Sequence, residues 1–269
     1  MSLNITDFLN HKRLENKAIN TIISYEADLE DFEKFLGIKK LSAENIRGYL
    51  ASMQVKNLNP ATLRRRLSSI KEYMIYIDKR DEIPNINIKV IAKLPDFLTL
   101  EEAQKVLAEL KVARDRTIFK TLFYTGMRIS ELTSIPDNIE IGNRLKIVGK
   151  GRKERIIFLS KELQGELNAL KTNTNGALFK NKRGGKLSVA FIERTIRKAG
   201  FRALKRRVHP HLLRHSMATK LFGAGLDILS ISQMLGHSSV ATTQIYTHLN
   251  NDKLEKDFNK KWNLGGNLE

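Results

Sequence analysis

The chain has 269 residues and a formal net charge of +18, with 41% hydrophobic and 28% charged residues and no cysteine. That length supports one large or two modest domains, each with its own core. The lack of cysteine excludes disulfides, thiolate catalysis and cysteine-ligated zinc. No run approaches the roughly 18 apolar residues of a membrane span, and the amino terminus lacks a secretory layout, so a cytoplasmic protein is expected.

The charge is unevenly placed. Residues 1–90 hold 15 Lys and Arg against 12 Asp and Glu, whereas residues 91–269 hold 32 against 17. A basic excess concentrated in one part of a chain favours a polyanion, and nucleic acid leads over a membrane surface because no basic amphipathic helix stands apart.

From Ile5 the pattern is helical. Phe8 and Leu9 mark a first short helix; Thr21, Ile22, Tyr25, Leu29, Phe32, Phe35 and Leu36 mark one face of a long second helix that Gly37 closes. Ser42 caps a third helix with Ile46, Tyr49 and Leu50 inward. Asn59-Pro60 opens a fourth, in which Leu63, Leu67, Ile70, Met74 and Ile77 form the apolar series. A small helical bundle is expected over residues 1–80. Arg64, Arg65 and Arg66 stand near the start of the fourth helix, as a phosphate grip or as a solvated face. Residues 81–97, with Pro84 and Pro95, lack periodicity and read as a linker. Thr99 with Glu102 then makes a capping box that opens a second domain over residues 98–269.

In that domain, Thr117 to Tyr124 is an apolar helix broken at Gly126, and Arg128 follows with Glu131 three residues on. Alone, that pair is an ordinary surface ion pair. Leu145 and Ile147, then Ile156 and Phe158, read as two short strands around the basic, glycine-flanked turn Gly149-Lys150-Gly151-Arg152. The turn lacks Walker A spacing. Lys180 to Lys186 is a basic loop, solvated or touching phosphate. Ser188 opens a helix read to end at Gly200, with Arg194, Arg197 and Lys198 on its polar side. A helix starting near His209-Pro210 places His211 and Arg214 on one face near its positive end. It gives way at Gly223 and Gly225 to a helix from Asp227 to Leu235 that stops at Gly236. His237 follows, and Ser238 or Ser239 caps a third helix carrying Tyr246. The segment from Asn251 to Trp262 is an amphipathic tail suited to docking.

Singly, these residues have bland roles. As an ordered set, TGMRISEL, HLLRH, LGH and a tyrosine nine residues later, they resemble the tyrosine recombinase (phage-integrase-like) family. Asn20-Thr21, Tyr25, Asp28-Leu29 and Thr62 to Ser68 are similar to the core-binding domain of its Xer-type members. The likeness begins almost at the first residue, so no extra arm-binding domain is expected. It implies a mainly α fold of two domains, a helical DNA-clamping bundle and a mixed α/β catalytic domain with a small β-hairpin.

The resemblance further implies Arg128, Lys150, His211, Arg214, His237 and Tyr246 as catalytic residues, with Glu131 in support. DNA contacts are expected from Arg64, Arg65, Arg66, Arg152 and Lys153, with Lys153 a weaker match than Lys150 for the mobile lysine. The implied activity is site-specific recombination of double-stranded DNA through a 3′-phosphotyrosine, in a tetramer built from dimers on each site. Chromosome or plasmid dimer resolution is the leading role, with mobile-element integration or non-catalytic DNA binding as alternatives. His209, His211 and His215 lack a matching carboxylate set, and neither metal nor cofactor is expected.

Overall fold

The computed structural model describes residues 3–90, 96–149 and 154–236. The chain divides into two units, Met1–Ala92 and Lys93–Glu269.

In the first unit, α1 (Ile5–Leu14), α2 (Ile19–Leu36), α3 (Ala43–Val55) and α4 (Pro60–Tyr76) close around one apolar core. The starts follow local chemistry. Ser42 Oγ accepts the Asn45 N–H at 3.3 Å, and Asn59 Oδ1 accepts the Ala61 N–H at 2.9 Å just ahead of Pro60. Phe8, Leu29, Phe32, Ile46, Ile70 and Met74 are buried completely. Leu63 and Leu67 join them, while Ile77 caps the helix and is only partly buried. Ile83, Ile86 and Ile88, within the stretch read as linker, pack on this core.

The second unit surrounds its main core with α5 (Leu100–Ala108), α6 (Ala113–Thr125), α7 (Ile129–Thr133), strands β1 (Arg144–Val148) and β2 (Glu154–Phe158), α8 (Lys161–Ala169), α9 (Val189–Leu204) and α10 (Pro210–Gly223), while α11 (Ile228–Leu235) packs on α10 in a smaller apolar cluster of Met217, Ala218, Ile231 and Leu235. The capping box forms at α5: Thr99 N–H donates to Glu102 Oε2 at 3.0 Å, and Glu102 N–H to Thr99 Oγ1 at 3.2 Å. Helix α5 packs on α9, and α6 on α10. The architecture is thus mainly helical with a two-stranded antiparallel sheet.

Three local features add to or depart from the sequence reading. First, Gly200 does not stop its helix; α9 runs on to Leu204. A Cβ at Gly200 would lie 2.3 Å from Val208 Cγ2, so the glycine serves close packing. Second, the inward face of β2 is Arg155 and Ile157, while Ile156 and Phe158 are exposed. The register pairs Ile157 with Leu145 and Arg155 with Ile147, whose buried side chains select that face. Third, Lys180 is an internal anchor: it binds Asp137 Oδ2 at 2.9 Å and Thr174 Oγ1 at 2.8 Å. Asp137 is fully buried and accepts N–H groups of Thr172 and Thr174, which fastens residues 172–180 to the domain. Among the described residues, no helix is long and apolar enough to cross a membrane.

Candidate active site

The site is assembled around the last turn of α11. Asp227 caps that helix at its start by accepting the Ser230 N–H at 2.8 Å, and Gly236 ends it in the left-handed region at φ 65°. A helix end leaves carbonyls without intrahelical donors and carries partial negative charge, so it attracts cations. Three arginines from distant parts of the sequence answer it. Arg155 Nε donates to Met234 O at 3.0 Å, Arg214 Nη2 to Leu235 O at 2.6 Å, and Arg128 Nη2 to Gly236 O at 3.0 Å. Three consecutive carbonyls thus bind three guanidinium groups.

Each arginine is placed for a local reason. Helix α6 ends at Gly126, in the left-handed conformation at φ 59°, and Arg128 stands extended at the N-cap of α7. Its backbone N–H donates to Glu131 Oε2 at 2.7 Å and its Nη1 to Oε1 at 3.0 Å. The Glu131 brace read from sequence is therefore present in the structure. Arg214 is buried in α10, and its Nη1 donates to Gly126 O at 2.5 Å. Arg155 reaches in from β2 and grips Glu131 from the other side, with Nη1 on Oε1 at 2.8 Å and Nη2 on Oε2 at 2.6 Å. Burial raises the Glu131 pKa, but the hydrogen bonds from Arg155 and then from Arg128 outweigh it. The carboxyl lies below its ordinary value.

His211 stands exposed on the first turn of α10, on the same helix as Arg214. The helix starts where expected, and His209 caps it: its Nδ1 accepts the Leu212 N–H at 3.1 Å. Arg197, Arg207, His209 and His211 line a cleft of about 240 Å³ at this helix start. Burial, with help from Arg207, lowers the His209 pKa, and burial also lowers that of His215.

Arg155 escaped the sequence reading. The available signal was the cross-strand partnership with Leu145 and Ile147, which turns alternate residues of β2 inward. Lys150, Arg152, Lys153, His237 and Tyr246 lie outside the described residues, as do the third helix and the tail from Asn251 to Trp262.

The three arginines of α4 do not share one environment. Arg65 Nη1 donates to the buried carboxylate of Asp28, which also accepts from Ser69 Oγ at 2.7 Å. Arg66 Nη1 donates to Asp31 and, at 2.8 Å, to Tyr49 Oη. Arg64 is exposed and joins no ion pair among the described residues.

The phage integrase family model matches residues 96–253, and the model of the phage integrase N-terminal SAM-like domain matches residues 5–80. The tyrosine recombinase XerC of Myxococcus xanthus is 36% identical over 88% of this chain and 89% of its own length. The tyrosine recombinase XerD of Staphylococcus saprophyticus is 32% identical over 95% and 97%. Among solved structures, the XerA recombinase is 30% identical with a TM-score of 0.55, covering 96% of this chain and 97% of that one. The XerH site-specific recombinase bound to palindromic difH substrate, a post-cleavage complex, is 28% identical with a TM-score of 0.73, covering 91% and 81%. The chain therefore belongs to the phage integrase family and is a Xer-type tyrosine recombinase, an enzyme that breaks and rejoins DNA.

Proposed function

We propose that Tyr246 is the nucleophile of this recombinase and that Arg128, Lys150, His211, Arg214 and His237 serve it. The observation that supports this reading is the meeting of Arg128 and Arg214 on consecutive carbonyls, Gly236 and Leu235. His237 is the next residue. Two guanidinium groups brought together from distant sequence positions suit a phosphate carrying developing negative charge.

The chemistry follows from the residue types. A free tyrosine, with a pKa of about 10, is only on the order of a thousandth ionised at neutral pH. Attack therefore needs a base and a positive field. His211 takes the Tyr246 proton as its oxygen forms a bond to phosphorus. Arg128 and Arg214 stabilise the non-bridging oxygens, and His237 adds a further donor. The bond from phosphorus to O5′ breaks as Lys150 gives O5′ a proton. The product is a 3′-phosphotyrosine and a free 5′-hydroxyl. A 5′-hydroxyl from a second strand reverses the sequence and releases the tyrosine, so no external energy source is consumed.

In this reading, residues 1–80 clamp the DNA through Arg64, with Arg65 and Arg66 held beside it on Asp28 and Asp31, residues 81–97 connect, and residues 98–269 carry the chemistry. Arg152 and Lys153 add contacts to the backbone. The enzyme is cytoplasmic, works as a dimer on each site and a tetramer in synapsis, and resolves chromosome or plasmid dimers. Trapping tests the reading. Randomly nicked genomic DNA from the source organism, incubated with the wild type in EDTA, is expected to yield a covalent adduct on a denaturing gel that Tyr246→Phe does not form. Tight DNA binding without an adduct would contradict it.

A further inference from the structure

The arginine on β2 has no part in the chemistry above, yet it is among the most fully engaged side chains of the site. Its side chain is 8% exposed, and the carboxylate that it holds is 5% exposed. The guanidinium spends one edge on both oxygens of Glu131 and its Nε on Met234 O. The chain also passes across Gly236 so closely that a Cβ there would lie 3.0 Å from Arg155 Cδ. A side chain so enclosed by protein is poorly placed to bind a DNA phosphate. It is well placed to fix three segments against each other: the Arg128 turn through Glu131, the end of α11, and β2 itself.

Resting on the reading of the site given above, we propose that Arg155 is a positioning residue for strand cleavage, coupling the hairpin strand to Glu131 and to the α11 terminus so that Arg128 keeps one orientation. Glu131 accepts from both arginines at once. Oε1 receives Arg128 Nη1 and Arg155 Nη1, and Oε2 receives the Arg128 backbone N–H and Arg155 Nη2. Arg155 thereby sets where that carboxylate lies, and the carboxylate sets where Arg128 points. A lysine at 155 carries the charge on a single nitrogen and cannot span two carboxylate oxygens and a carbonyl together. β2 also follows Lys150 in the chain, and the same contact ties that strand to the arginines.

Loss of Arg155 has a second consequence. Among the described residues, the charged groups that face Glu131 are Arg128 and Arg155. Without Arg155 the buried carboxylate keeps one partner and takes up a proton at higher pH. A protonated Glu131 grips Arg128 less well, so cleavage by the variant acquires a decline on the acid side.

The test is single-turnover adduct formation by the full chain on randomly nicked genomic DNA across pH. Wild type, Arg155→Gln, Arg155→Lys, Glu131→Gln and the double variant Glu131→Gln/Arg155→Gln are compared, with DNA affinity and melting temperature measured in parallel. Arg155→Gln is expected to slow cleavage on the order of 100-fold, as sub-ångström to ångström misplacement of a catalytic group does. Its DNA affinity stays within about twofold of wild type, the loss deepens toward acid pH, and Arg155→Lys does not restore the rate. In the Glu131→Gln background the same substitution costs clearly less than in the wild type, because two of the three Arg155 contacts run through Glu131. If Arg155→Gln does not fold, Arg155→Lys carries the test through its rate and affinity alone.

Wild-type cleavage rates in the Arg155 variants would overturn the proposal. So would a loss of DNA affinity matching the loss of rate, or additive costs in the double variant. No adduct from the wild type would overturn the cleavage reading beneath it, an outcome distinct from the others.

Discussion

Arg214 Nη1 donates to the carbonyl oxygen of Gly126 at 2.5 Å, which joins the helix carrying the His–Arg pair to the turn that presents Arg128. Gly126 has no substitute there. Its φ is 59°, and a Cβ would lie 2.7 Å from Leu235 Cδ2 and 2.9 Å from Met217 Sδ. Gly126→Ala is expected to destabilise the domain by about 2–4 kcal/mol, from left-handed strain and overpacking together. It should also slow cleavage more than it weakens DNA binding, because both arginines move. Chemical denaturation alongside single-turnover cleavage checks this; an unchanged rate in folded protein would contradict it.

The histidines around α10 give the domain a pH dependence whose sign is fixed. His209 and His215 have pKa values lowered by burial from an ordinary value of 6.5. The unfolded chain therefore binds more protons than the folded one below that value, and stability rises with pH through the window. The contribution is present above pH about 6.5 and is lost as pH falls toward the lowered folded values. Melting temperature should drop between pH 7.5 and 5.5. His209→Asn keeps a capping side chain without a titrating group, so it should shrink that drop and leave the part due to His215.

Asp137 answers at lower pH. Its pKa is depressed by the Thr174 backbone N–H first, then by Lys180 and Thr172 against the opposing effect of burial. A depressed carboxyl stabilises the fold above its unfolded pKa of about 3.9 and loses that contribution as pH falls further. Asp137→Ala leaves the N–H groups of Thr172 and Thr174 and the Lys180 ammonium without this acceptor. Lower melting temperature and faster proteolysis within residues 172–180 are expected, with little change at the arginine cluster. Wild-type resistance to the protease would contradict the tether.

The arginines of α4 separate affinity from stability. Arg64→Ala should lower the slope of log affinity against log salt by about 1 and leave stability within about 0.5 kcal/mol. Arg66→Ala removes the donor shared by Asp31 and Tyr49, and should cost about 1–2 kcal/mol of stability in the first unit. Salt titrations and denaturation of both variants distinguish the two; equal behaviour would contradict the assignment.

Much of this was legible in the residues, and the boundary is instructive. Local signals carried the helices: the apolar spacing of α2 and α4, the Thr99–Glu102 box, the His209-Pro210 start and the Gly236 stop. The Arg128–Glu131 brace is a three-residue spacing and was read directly. What escaped depended on partners far along the chain. Arg155 faces inward because Leu145 and Ile147 oppose its strand, and Glu131 lies 24 residues before it. Arg65 and Arg66 meet carboxylates 37 and 35 residues away, so their engagement could not be seen from their own helix. Gly200 looked like a stop because nothing local announces Val208 packing against it.

Attack of Tyr246 on the DNA can be read at the residue itself. Adduct trapped by the wild type on randomly nicked genomic DNA in EDTA is digested with nuclease and trypsin, and the modified peptide is sequenced by mass spectrometry. A nucleotide joined through its 3′-phosphate to the Tyr246 oxygen is expected, with no modified peptide from Tyr246→Phe. A nucleotide on any other side chain, or an adduct that persists in Tyr246→Phe, would contradict it.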